Sequence, residues 1–378
     1  MSRSLTSVSQ KTNHDSSEWL RALHPYFPEA HAANFAATAD PYQVERAFGN
    51  RAIPKLAELL RFADLPDGSR AAALRVMVAL TGDQCRKQEA IAEGAISSCT
   101  GICQRGVEDA ASAPAEVKEH AILVLASLAC APQSQPQFAQ FRTLGSLTGA
   151  LQSEERSVRE AAALALLNFS TSRQGTDMIV ACSQPDADNC CETIRVMVNA
   201  LIEPSALVSL YLISALGNIC RYAEGTDLAL AAGIVAKAVD MMKNAGPSGG
   251  EVPVGSPLAG LPAGTRLQSL NTVWNVGNHL RGKEELIEYG VVPAITGTLA
   301  DTSRDVRRCA VGALMALSVD ENGKCEIMEH SLGQLTRLLL DEYDSVRNNA
   351  RITIVHASEN RRARFQFVRE CVQTWPGS

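Results

Sequence analysis

Asp305-Val306-Arg307-Arg308-Cys309-Ala310-Val311-Gly312-Ala313-Leu314-Met315-Ala316-Leu317-Ser318 is answered 40 positions later by Ser345-Val346-Arg347-Asn348-Asn349-Ala350-Arg351-Ile352-Thr353-Ile354-Val355-His356-Ala357-Ser358. Val306 maps to Val346, Arg307 to Arg347, Ala310 to Ala350 and Ser318 to Ser358. An apolar segment with helical spacing precedes each stretch, Val291 to Leu299 in one case and Leu332 to Leu340 in the other. The ruler is therefore a helical unit of about 40 residues, the length at which pairs or triples of helices stack into repeat arrays.

The same phase runs backwards through the chain. Taking Ala79, Ser127, Asn168, Asn218, Asn278, Ala316 and His356 as anchors near the end of each long helix, successive spacings are 48, 41, 50, 60, 38 and 40. The excess falls where turn formers crowd: Gly106 to Pro114, Ser183 to Cys191 and Asn244 to Gly264. Insertions in repeat arrays belong between helices, so the uneven spacing fits a repeat. A glycine hinge recurs as Glu93-Gly94-Ala95, Ala232-Gly233-Ile234 and Tyr289-Gly290-Val291, each ending one short helix and opening another. Glycine takes the positive φ that such a turn requires. Short helix, hinge, second helix and long helix make the three-helix armadillo unit rather than the two-helix HEAT unit.

The expected fold is all-α, an armadillo-type right-handed helical solenoid of about seven units over residues 41–370. Residues 1–40 read as a tail and cap segment, 244–264 as a Gly/Pro-rich insertion and 371–378 as a C-terminal tail. Within the first segment, Trp19, Leu20, Leu23, Tyr26 and Phe27 form an aromatic-rich island suited to capping the first repeat or docking a partner. Long helices are expected at Ser69–Leu80, Glu116–Leu128, Val158–Phe169, Leu207–Ile219 and Leu267–Leu280. Leu144–Leu151 is the weakest helix on paper, because Gly145 and Gly149 interrupt it.

Composition narrows the function. The chain has 378 residues, 46% of them hydrophobic and only 5% aromatic, and its net charge is −6. That balance argues against a duplex nucleic-acid binder, and Arg361-Arg362-Ala363-Arg364 is too short a cluster to reverse it. No apolar run is long enough to span a bilayer, and the polar start through Ser17 does not read as a signal peptide. Eleven cysteines, an odd number, lie mostly on apolar helix faces, with Cys130, Cys220 and Cys309 where a small hydrophobe would serve. This is the usage of a reducing compartment, and the chain reads as soluble and intracellular.

Enzyme signatures fail on spacing. Gly323-Lys324 lacks the upstream glycines of a phosphate loop, and Asp186-Ala187-Asp188-Asn189 lacks the glycine and glutamate of a calcium loop. Cys99 and Cys103 have no second pair to complete a zinc site. No cofactor is expected. The candidate protein-binding residues are Trp274, Asn278, Asn218 and Asn168. Armadillo proteins that bind extended peptides carry an asparagine ladder on their third helices, since an amide can both donate to and accept from a peptide backbone. A tryptophan one turn earlier forms a wall. Ala79, Ser127, Ala316 and His356 break the ladder, so the asparagines read first as ties between neighbouring repeats and only second as a peptide groove.

Ala47-Phe48-Gly49-Asn50-Arg51-Ala52-Ile53-Pro54-Lys55-Leu56, shortly after Pro41-Tyr42-Gln43, resembles the opening of the radial spoke head protein 14 family, also called the rhabdoid tumour deletion region proteins. Gly312-Ala313-Leu314-Met315-Ala316 and Glu321-Asn322-Gly323-Lys324 look like that family's closing repeats. The resemblance implies a non-catalytic scaffold in the cytoskeleton of the cilium or flagellum. It would sit in the axoneme within a large multiprotein complex, with other radial spoke subunits as partners and neither nucleic acid nor membrane among them. The alternative is a cytosolic armadillo adaptor that binds an extended peptide of a cargo protein.

Overall fold

The computed structural model describes residues 49–62, 65–104, 113–184, 191–202, 204–244, 261–361 and 364–365. The expectations for residues 1–40 and for the Asp186-Ala187-Asp188-Asn189 loop lie outside these. Among the described residues every regular element is helical. The chain divides into two compact units, Met1–Gln174 and Gly175–Ser378.

In the first unit, α1 (Ala52–Leu60) and α2 (Asp67–Leu80) open the array. Two triples follow: α3 (Gln84–Ala92), α4 (Ala95–Gln104) and α5 (Ala115–Ala129), then α6 (Gln135–Gln140), α7 (Thr143–Ala150) and α8 (Arg156–Ser170). The long helices α2, α5 and α8 pack side by side in that order. Ile53 and Leu56 on α1, Leu74 and Met77 on α2, Leu125 on α5 and Leu166 on α8 are fully buried, and the Phe138 and Phe169 rings meet at 5.0 Å. Helix α7 forms despite its glycines. Leu144, Leu147 and Leu151 are buried, and that burial outweighs the roughly 1 kcal/mol cost of each helical glycine.

The second unit carries four triples. They are α9 (Arg173–Ser183), α10 (Thr193–Asn199) and α11 (Ala206–Ile219); α12 (Ala223–Ala231), α13 (Ile234–Asn244) and α14 (Leu261–Gly277); α15 (Leu280–Glu288), α16 (Val292–Thr296) and α17 (Arg304–Leu317); and α18 (Glu321–His330), α19 (Leu332–Leu338) and α20 (Asp344–Ala357). The first of these starts at the end of the preceding unit. Long helices α11, α14, α17 and α20 pack in series. The insertion expected over 244–264 is shorter than its sequence suggested, because α13 runs to Asn244 and α14 begins at Leu261. Pro262 sits in the first turn of α14, where its missing N–H has no intrahelical partner to lose.

Three sequence-encoded devices recur. The hinge between the first and second helix takes positive φ: Gly94 at 77°, Gly233 at 82° and Gly290 at 71°. Arg142 at 52° and Glu192 at 47° do the same job without glycine, and these two hinges were not legible from composition. Next, a short first helix doubles back tightly over the end of the preceding long helix. A Cβ at Gly225, Gly282 or Gly323 would stand less than 3.0 Å from the carbonyl oxygen of Ile219, Val276 or Leu317. Gly323 therefore serves close packing.

An arginine in the first turns of the long helix closes the loop before it. Arg159 donates to the Ser153 carbonyl at 2.7 Å and Arg307 to the Asp301 carbonyl at 2.9 Å. Arg307 also reaches forward to the Asp341 carboxylate at 2.8 Å, and Arg266 pairs likewise with Asp301. The Arg307–Asp341 side chains are 12% and 6% exposed. Burial pushes the Asp341 carboxyl up, but hydrogen bonds from Arg307 and the Tyr343 N–H, with the charges of Arg307 and Arg347, outweigh it and hold it below the usual range.

Candidate protein-binding face

The close-approach glycines set the true register of the repeats. Gly225, Gly282 and Gly323 are spaced 57 and 41 apart. On that register Asn218 corresponds to Asn275, not to Asn278, and Asn278 corresponds to Arg221 and Val319. The sequence anchor at Asn278 was therefore three positions late. Asn275, beside Trp274 rather than one turn beyond it, holds the expected phase.

The side-chain geometry follows this register. Asn168 donates through Nδ2 to the Ala126 carbonyl of the preceding long helix at 2.9 Å. Asn275 does the same to the Gly217 carbonyl at 2.9 Å. Ser127, in the equivalent place on α5, donates to the Thr81 carbonyl at 2.8 Å. Each of these acceptors belongs to the last turn of a long helix or the residue after it, where helical carbonyls lack intrahelical partners. The amide N–H groups thus tie long helix to long helix, and they are not turned out toward a peptide. Asn218 is half-buried in α11, while Asn278 lies just past the end of α14 and is exposed. Asn168 belongs to the first unit; the other three candidates belong to the second.

Trp274 is partly buried, and its indole lies against Gly312 of α17. A Cβ at Gly312 would stand 2.9 Å from Cδ2, Cε2 and Cε3 of the ring. Glycine at 312 thus leaves a flat slot that the indole fills, which accounts for a glycine inside a long helix. By the register, Trp274 corresponds to Met315 on α17 and Val355 on α20, 41 and 40 positions on. Met315 is partly buried and Val355 is 52% exposed. An apolar row therefore crosses three consecutive packed helices, with Asn278 and Val319 one turn beyond it; Val319 is 60% exposed. Arg351 stands one turn before Val355 and is exposed, while Arg304 and Arg308 pair with Asp305. Met315 and Val355 were absent from the sequence-derived candidates, although the 40-residue ruler aligns them.

Cys85, Cys99, Cys103, Cys130, Cys220, Cys309 and Cys325 form no disulfide. Cys220 and Cys309 are buried as expected, whereas Cys130 is exposed, because it caps the end of α5 instead of facing the core. A cavity of about 460 Å³ in the first unit is lined by Cys103, Lys118, Arg142 and the open backbone of Gly145 and Gly149. Burial pushes the Cys103 thiol up to about 12 against the opposing charge of Lys118, so it stays protonated at neutral pH and is a poor nucleophile. Among the described residues no helix is long and apolar enough to cross a membrane.

No protein-family model and no curated protein matches the sequence. Solved structures do. A designed armadillo repeat protein aligns at TM-score 0.57 and 18% identity over 70% of this chain and 99% of its own. Another, in complex with the peptide (KR)4, aligns at 0.56 and 16% over 69% of this chain and 99% of its own. An engineered protein aligns at 0.67 and 16% over 97% of this chain and 95% of its own. At such identities the likeness is one of fold, and the chain is an all-α solenoid of armadillo repeats.

Proposed function

We propose that this chain is a non-catalytic scaffold that holds other proteins against the open face of its long helices, and that its place is in a radial spoke of the ciliary or flagellar axoneme. The observation that carries the binding reading is the row Trp274, Met315 and Val355. Three apolar side chains stand partly exposed at one register position of packed helices. Aromatic and long apolar side chains in such a setting are the usual anchors of protein interfaces. What supports the spoke assignment is the likeness of Ala47 to Leu56, and of the Gly312 and Glu321 runs, to the radial spoke head protein 14 family.

The second reading is an adaptor for an extended peptide of a cargo protein in the cytosol. Asn278, exposed one turn past Trp274, favours it. Arg351, exposed one turn before Val355, fits an apolar or acidic segment better than a basic one.

Extraction of a flagellated cell expressing a tagged copy separates the two. Retention with the axoneme through detergent, with release only in strong salt, is the result expected of a spoke scaffold. A copy that washes out with the cytosol overturns that assignment. Trp274→Ala combined with Met315→Ala tests the face itself. Partner affinity should fall at least about 30-fold, the effect of losing one anchor, with helical circular dichroism unchanged. Undiminished binding by the folded variant removes the row from the interface.

A further inference from the structure

We propose that a cavity in the first unit seats an acidic side chain of a partner protein, its carboxylate held by Arg142 and an adjoining apolar side chain lodged on Ile122 and Val158. The site does not depend on the row of Trp274, Met315 and Val355, which belongs to the second unit.

The cavity, about 460 Å³, is walled by α4, α5, α7 and the start of α8. Its size is that of sites that enclose small ligands or a few side chains. Ile122 and Val158, 1% and 2% exposed, give it an apolar floor. Lys118 and Arg142 line it too, and no aspartate or glutamate does. In a chain whose net charge is −6, this is a local surplus of positive charge. The Lys118 ammonium is near enough to the Cys103 thiol to oppose the rise that burial imposes on it, which sets that charge at the cavity wall.

The repeat register shows how the space arises. The hinges at Gly94, Arg142, Glu192, Gly233 and Gly290 share positive φ. Three positions on from each stand Ser97, Gly145, Arg195, Ala236 and Pro293. At the hinge before α10, Glu192 pairs with Arg195 across that interval. One repeat earlier the hinge residue is Arg142, and the place of its partner is taken by Gly145. A Cβ at Gly145 or Gly149 would meet nothing within 4 Å, so the two glycines leave open the space a side chain would fill. Glycine would also serve at the hinge, where φ is 52°, without strain. An exposed arginine held in that conformation, beside space that no carboxylate lines, is placed for a carboxylate from outside. The apolar floor disfavours a bare inorganic anion, whose hydration it cannot replace. It favours a carboxylate carried next to an apolar side chain.

The probe is a fluorescein-labelled, amidated hexapeptide with one glutamate and one leucine side by side among serines, titrated into the full chain and followed by anisotropy. Saturable binding that weakens with added salt is expected, and the same labelled peptide with lysine for glutamate should not bind. Arg142→Gly should weaken binding at least about 10-fold, the effect of losing one charge-assisted hydrogen bond, while the chain stays folded because glycine relieves the hinge. Gly145→Glu gives Arg142 a partner within the chain, as Arg195 serves Glu192, and should weaken binding as much with helical circular dichroism unchanged. Trp274→Ala combined with Met315→Ala should leave binding as it was. Absence of saturation at millimolar peptide overturns the proposal, as does equal binding by the folded Arg142→Gly chain. Loss of binding in the Trp274 and Met315 variant overturns it too, because the peptide then sits on the other unit. So does inorganic phosphate that binds as tightly as the peptide, because the site then takes a free anion.

Discussion

Arg142 holds φ at 52°, a conformation in which its Cβ crowds the neighbouring carbonyl. The hinge between α6 and α7 demands it, as the hinges at Gly94, Gly233 and Gly290 demand glycine. Arg142→Gly should therefore raise unfolding free energy by about 1 kcal/mol, read as a higher denaturant midpoint at unchanged slope. Arg307 makes the opposite case. Its guanidinium neutralises a carboxylate that is 6% exposed, and Arg307→Ala leaves that charge buried without its partner. A loss of about 3–5 kcal/mol is expected. The pH dependence has a definite sign. Asp341 is held below its unfolded pKa, so the pair stabilises fully above the ordinary carboxylate range near pH 4, and the contribution fades as pH falls through the lowered folded value. Arg307→Ala should flatten this acid limb of the stability profile.

At the scale of the element, the question is what the asparagines on the long helices are for. Asn168 and Asn275 each spend an amide N–H on a carbonyl of the neighbouring long helix. Asn168→Ala and Asn275→Ala should each cost about 0.5–1.5 kcal/mol, the net value of one such bond. Asn168→Asp should cost more, because it sets a carboxylate against the Ala126 carbonyl. Stability unchanged in both alanine variants would show that the amides do not tie the helices. The sequence showed the ladder at Asn168 and Asn218 and misplaced it at Asn278, because the 244–264 insertion hides the phase of α14. Only the approach of Gly282 to the Val276 carbonyl restores it. Trp274 was visible as a candidate from its place one turn before Asn278. Its partner in the slot, Gly312, was not, since nothing in a helix sequence says which glycine faces an indole one repeat away.

At the scale of the whole molecule, each repeat rests on its neighbours, so damage should spread locally. Cys309 in α17 and Cys99 in α4 are both buried, at 3% and 0% exposure. In the Arg307→Ala chain, alkylation of Cys309 should speed up about as far as the local loss of stability allows, while Cys99 in the first unit stays slow. Equal acceleration at both thiols would mean that the chain unfolds as one body. The partner face belongs to this scale too. The proposed row of Trp274, Met315 and Val355 comes from three repeats of the second unit.

Helix content, repeat length and the glycine hinges were determined by the sequence alone. They rest on local rules: apolar periodicity, positive φ at glycine and the 40-residue recurrence of Val306-Arg307 as Val346-Arg347. What only the tertiary structure decided is which polar groups are spent inside the fold and which remain for a partner. Asn275 and Asn278 are the same residue type three positions apart; one is tied to Gly217 and the other faces solvent. That difference depends on how far the neighbouring helix lies and in what register, and those distances are set by packing between residues almost 60 positions apart in the chain.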